Sequence, residues 1–255
     1  MRKTQFIAML SALAATLALP TVSQADDWDL DTIAKDKLTV ASLSYDTGLT
    51  MMIACRDDQL NVILSGLPRA EGQERTIIHH FPSKPEGRDK WVVYGDGTTA
   101  YAAGPTQMSR NLMAGGAVSF SVPTEDGTPA KTYAITLPEN SDAVRQVMQA
   151  CGRPLVRSVP EGYPNDDMPF NPNWTTRPNP TSLPFEVSGP VNVYVSCQTG
   201  PQGRVQNCYI DSAHPWIDRL NQVILRQARR AVLVDGNTGL PYPSGNEFLI
   251  SIPVR

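Results

Sequence analysis

Apolar side chains fall on alternate residues at Val191, Val193, Val195 and Cys197, and again at Phe248, Ile250, Ile252 and Val254. A period of two is satisfied only by an extended chain with one buried face, so both stretches are committed to strands. Between them, Val205, Cys208 and Ile210 follow a turn at 200–203 and predict a strand paired with the first. The period then changes. Ile217, Leu220, Ile224, Ala228 and Ala231 recur at steps of three and four, with Arg219, Arg226, Arg229 and Arg230 between them, which predicts an amphipathic helix. A loop over 235–245, carrying Gly and Pro, precedes the closing strand. The expected order for 184–255 is ββαβ.

Upstream, 26–157 reads as a mostly-β domain. Strands are predicted over 49–55, 60–64, 75–81, 90–94, 98–102, 117–122 and 131–137, with Asp57-Asp58, Asp96-Gly97 and Asp126-Gly127 as hairpin turns. The pattern over 28–43 fits a short helix or a strand. Two short helices are expected, one over 106–114 ended by Gly115-Gly116, the other over 141–150 capped by Ser141. Pro160, Pro164, Pro169, Pro172, Pro178 and Pro180 then mark 158–183 as an extended linker unable to form a ladder or a helix. The fold class expected is α+β, with the β-rich domain, the Pro-rich linker and the ββαβ domain in that order.

Arg2 and Lys3, an apolar run over 6–20 and Ser23-Gln24-Ala25 describe a secretory signal peptide over 1–25, so the mature chain is expected to begin at Asp26 in the periplasm. The other reading is an uncleaved anchor in the inner membrane, although the apolar run is shorter than the ~20 residues a span needs. The four cysteines, Cys55, Cys151, Cys197 and Cys208, agree with an oxidising compartment. Three connectivities are possible. Domain logic favours Cys55–Cys151 and Cys197–Cys208, since each pair then staples one domain.

With a formal net charge of −3, the chain has no electrostatic footprint for nucleic acid. No catalytic residue, metal site or cofactor is expected. Gly-x-Ser-x-Gly and phosphate-loop frames are lacking, and so are zinc spacings. His79 and His80 point to opposite faces of a predicted strand, and His214 is expected to be exposed at a helix start. Asp57-Asp58 and Asp166-Asp167 read as solvated turns rather than calcium ligands.

The Val-x-Val-x-Cys run ending at Cys197, Gly203-Arg204-Val205 leading to Cys208, the helix from Leu220 to Ala231, Gly239-Leu240-Pro241 and the closing strand resemble the C-terminal domain of the TonB family in its two-cysteine form. Where many members have Tyr-Pro before the first strand, this chain has Leu183-Pro184. The order of elements upstream, with its late helix closing in Ala150-Cys151-Gly152, resembles small exported β-domains related to invasion-associated locus protein B and to a periplasmic accessory protein of type VI secretion.

The first resemblance implies a non-enzymatic envelope protein that binds a protein or peptide partner by strand addition, with Phe248, Ile250, Ile252 and Val254 as the binding edge. A structural or host-facing protein that binds through its N-terminal domain is the alternative. A membrane-anchored TonB-type transport component is a third reading, in which membrane contact comes through an uncleaved signal. Mass spectrometry of the mature N-terminus is expected to find Asp26, and a chain retaining Met1 would overturn the cleaved-leader reading and favour the anchor.

Overall fold

The computed structural model describes residues 23–24, 27–82, 84–124, 130–160, 172–178, 191–214 and 216–254; side chains are described from 27 onward. The expected leader therefore lies almost wholly outside the described residues. Among the described residues, strand accounts for 49% and helix for 17%, so the α+β class is overturned in favour of a mostly-β fold. The helices are short covers on much larger sheets: α1 (Pro105–Leu112), α2 (Asp142–Ala150) and α3 (Asp218–Ala228). α3 stops short of the predicted end because Ala231 leaves the helical path and its carbonyl accepts the Val205 N–H at 3.1 Å.

The upstream region forms a ten-stranded sheet. Its strands are β1 (Ser23–Gln24), β2 (Asp29–Ile33), β3 (Leu38–Ser44), β4 (Thr50–Arg56), β5 (Gln59–Ser65), β6 (Glu74–His80), β7 (Gly87–Tyr94), β8 (Thr99–Ala102), β9 (Gly116–Val122) and β10 (Lys131–Leu137). The order across the sheet is β1-β10-β9-β6-β7-β8-β5-β4-β3-β2, and every pairing is antiparallel except β1 with β10. All seven strands predicted there form, and the ambiguous 28–43 stretch supplies β2 and β3 around a short 3-10 turn. Asp57 and Asp58 both take positive φ, at 49° and 62°, as the tight turn from Arg56 to Gln59 requires.

Strands from across the sheet share one core in which Trp91, Tyr133, Phe81, Phe120, Met51 and Leu64 are fully buried. The Tyr133 hydroxyl of β10 donates to the carbonyl of Gly66, just past β5, at 2.8 Å, tying together strands that are far apart in the sheet order. α2 seals the core with Val144, Val147 and Met148, and Cys151 at its end is bonded to Cys55 of β4. Ser141 stands at its N-cap without a side-chain bond; Asn140 Oδ1 instead accepts the Asp142 N–H at 3.0 Å.

The C-terminal region has its own core. β12 (Val191–Thr199) lies between β13 (Val205–His214) and β15 (Glu247–Val254), both antiparallel to it. The expected ββαβ order is also corrected. β14 (Val232–Asp235) intervenes between α3 and β15 and pairs with β11 (Pro172–Thr176) in a separate two-stranded sheet.

β11 lies inside the stretch expected to be plain linker. Pro172 opens this edge strand, a position where a ladder tolerates the missing donor. Trp174 supplies the reason to order, since it packs against the second core and stands edge-on to Phe248 at 6.2 Å.

The second disulfide joins Cys197 to Cys208 across β12 and β13. In the chain-entropy view, closing 96 residues is worth roughly 4–5 kcal/mol and closing 11 nearer ~3 kcal/mol. Replacing Cys55 and Cys151 together by serine is expected to lower the urea-unfolding free energy more than replacing Cys197 and Cys208. The reverse ranking would show that the short bridge restrains more than its own loop.

Candidate partner-binding edge

One face of the C-terminal sheet is covered by α3. Val191, Val193, Val195 and Cys197 of β12 meet Leu220, Ile224 and Ala228 there. Ile250, Ile252 and Val254 point into the same core, with exposures of 7%, 3% and 2%, and Phe248 packs beside them. The four residues predicted as the binding edge are thus brought together, but their side chains serve the protein's own interior. What β15 offers outward is backbone.

Hydrogen-bond parity defines which backbone groups those are. Thr199 N–H donates to the Asn246 carbonyl at 2.9 Å, whereas Glu247 N–H turns the other way and donates to the Ser158 carbonyl at 3.0 Å. Because successive peptide groups of a strand alternate in direction, those of Phe248, Ile250, Ile252 and Val254 face β12. Those of Leu249, Ser251 and Pro253 face away. Pro253 therefore removes no rung from the β12–β15 ladder. Among the described residues, no backbone group bonds the Leu249 or Ser251 N–H, and both residues are exposed.

The opposite face of this sheet is polar, as alternation requires, yet it does not face water. It docks on the N-terminal module. The Ser212 hydroxyl donates to the Ala103 carbonyl at 2.7 Å, Asn192 donates to Glu74 Oε1, and His214 stands edge-on to Tyr101 at 5.3 Å. His214, expected to be exposed, is largely buried instead, and desolvation holds its imidazole below the usual histidine range.

Arg153, just past α2, donates from Nη2 to the Asp58 and Ile210 carbonyls at 2.9 and 3.1 Å, and its guanidinium lies 4.8 Å from the centre of the Tyr209 ring. Burial pushes the Tyr209 phenol up to about 12, helped by the nearby negative charge of Asp211 and Glu247.

Glu247 is the knot of this interface. Its Oε1 accepts from Arg110 Nη1 at 3.0 Å and from the Tyr209 hydroxyl at 3.2 Å, and its Oε2 accepts the Ser158 N–H at 3.2 Å. Its carbonyl accepts from Arg157 Nη2 at 3.0 Å. The side chains of Arg110 and Glu247 are 6% and 9% exposed, so the pair is buried.

Residues 157–158 lie along the first residue of β15 as a strap, leaving the outer side from Leu249 onward open among the described residues. Nothing in the spacing of the sequence singles out Arg110, Arg153 or Glu247. One signal was present, since Asp211 is the only acidic residue in the ten-residue β13.

Elsewhere, His79 Nε2 and Asp89 Oδ2 lie 2.8 Å apart, with the imidazole packed over Gly87, where a Cβ would fall 2.1 Å from the ring. That pair fills space between β6 and β7. Among the described residues, no three His, Cys, Asp or Glu side chains converge as a metal site, and no helix is long and apolar enough to cross a membrane.

No family model, curated protein or solved structure matches this chain. The likeness of 191–255 to the TonB C-terminal domain stands on its sequence pattern alone.

Removing Arg110 strands a buried carboxylate, which costs about 3–5 kcal/mol where a partner is lost. Arg110→Ala is expected to destabilise the protein by that order in urea unfolding, and adding Glu247→Gln to recover much of the loss. A double-mutant cycle without coupling would mean that the pair is solvated in solution.

Proposed function

We propose that this chain is an exported, non-enzymatic cell-envelope protein whose C-terminal sheet takes up an extended segment of an envelope partner along the outer side of β15. The observation that carries this reading is the open backbone of β15. Leu249 and Ser251 turn their N–H groups away from β12 and find no backbone acceptor among the described residues, while Glu247 beside them is already bonded by the Ser158 strap. An edge of this kind binds an added strand by main-chain hydrogen bonds.

Export is supported by the leader pattern and by two disulfides, which persist in oxidising compartments. The resemblance to TonB points the same way. Leu249, 45% exposed, gives one face of an added segment an aliphatic neighbour.

A second reading has its own observation. β2 ends the large sheet with all five residues exposed, Leu30 at 36% and Ile33 at 40%, which suits binding through the N-terminal module.

Strand parity supplies the test. Ser251→Pro removes an outward N–H and no rung to β12, along with the Ser251 hydroxyl bonded to Tyr194, and is expected to keep the folded circular dichroism while weakening capture of the envelope partner by at least about tenfold. Ile250→Pro removes a rung to β12 and is expected to unfold the module. Undiminished binding by a folded Ser251→Pro protein would falsify strand addition at this edge and favour the β2 reading.

A further inference from the structure

A carboxylate taken out of water is unfavourable in its ionised form unless donors or cations replace its hydration. Asp211 is 1% exposed, where the C-terminal sheet meets α1. It occupies the irregular step in the β12–β13 register between Tyr194–Ser212 and Val195–Ile210, which turns an extra residue toward the other module. Its Oδ1 accepts the Thr106 N–H at 3.3 Å and the Thr106 hydroxyl at 2.5 Å, and its Oδ2 accepts the Ser196 hydroxyl at 3.2 Å.

The charged and titratable groups around it are already engaged. Arg153, following α2, is committed to two carbonyls and the Tyr209 ring. Tyr209, on the same strand, donates to Glu247, and Glu247 of β15 is matched by Arg110 of α1. No ion pair to Asp211 forms among the described residues. The contacts of this buried carboxyl are neutral donors, two of them from the other module.

We propose that Asp211 is a proton-operated latch: taking up a proton at this carboxyl tightens the docking of the C-terminal sheet on the N-terminal module, and losing it loosens the docking. Once protonated, Oδ2–H donates to the Ser196 hydroxyl, which accepts as readily as it donates, so every contact survives the change. Burial pushes the Asp211 carboxyl above its ordinary range, and the Thr106 and Ser196 donors and the charge of Arg153 pull it only partly back. In a separated C-terminal sheet the same side chain would face water.

The docked state therefore binds more protons, and docking weakens as pH rises from the ordinary carboxylate range through the docked value. His214 acts with the opposite sign. Its depressed imidazole stabilises docking at high pH and loses that contribution as pH falls through the ordinary histidine range. The two groups thus push docking in opposite directions over the range in which both titrate, so the Asp211 effect is read with His214 removed. The inference does not depend on whether β15 takes a partner.

Amide exchange at residue 106 in the full, disulfide-bonded chain reads the latch directly, because that N–H ends on Asp211. Protection in the native protein, divided by protection in Asp211→Asn, is expected to fall by at least about tenfold between about pH 4.5 and about pH 8. The same fall is expected in a His214→Gln background, which removes the opposing titration. A ratio that stays flat or rises with pH overturns the latch. Should Asp211→Asn not fold, Thr106→Val serves in its place. It removes a donor that favours the carboxylate and should carry the loss of protection to higher pH, whereas an unmoved profile would also overturn the proposal.

Discussion

A carboxylate as buried as that of Glu247 requires a cation and hydrogen-bond donors in fixed positions, and those donors come from three separate parts of the chain. Arg110 is set by α1, Tyr209 by β13, and the Ser158 N–H by the strap leaving the first module. Tyr209 shares the sheet with Glu247, but Arg110 and the Ser158 N–H can be in place only if the two modules are docked. The ion pair brings little net stability over an apolar equivalent, but a misplaced module would leave a charge buried and unmatched. Orientation, rather than stability, is what this arrangement specifies.

The docking changes the meaning of the C-terminal sheet. A three-stranded sheet with a helix on one face ordinarily turns its polar face to water. Here the polar face is spent on the partner module, so side chains such as Tyr194, Ser196 and Ser212 are buried with hydrogen-bond or aromatic neighbours. Both faces of the sheet are covered, and among the described residues the outer side of β15 stays open from Leu249 onward. The Ser158 strap shortens that edge at its start, which limits any added strand to a register beginning at Leu249.

Most of the strands were legible because they alternate. β4 buries every second residue and turns into β5 at two aspartates, and the cysteines fall where domain-by-domain pairing is the simple solution. The α+β expectation failed for a quantitative reason, since the helices are short and the sheet they cover is wide.

The interface was hidden for a different reason. Asn192, Tyr194, Ser196 and Gln198 form a polar row that looks identical whether it meets solvent or a second polar surface, and a period-two pattern carries no information on which. β11 was missed because proline counts outweighed a single Trp174, whose burial in a distant core has no local signature. The expected edge residues, Phe248, Ile250, Ile252 and Val254, all fall on β15 with their side chains turned inward. Alternation identifies which side chains share a face without saying which backbone groups share an edge.

The two ends of the large sheet are β1 and β2, and only a few residues of chain separate Gln24 from Asp29. The chain thus runs from one margin of the sheet, beside β10, to the other margin, beside β3. A leader peptidase cutting before Asp26 would sever the chain between those margins and carry β1 away. The precursor and the processed protein would then differ in more than length: one has β10 flanked on both sides, and the other presents it with a bare flank. Cleavage at the expected point would unmask a surface as well as remove an address.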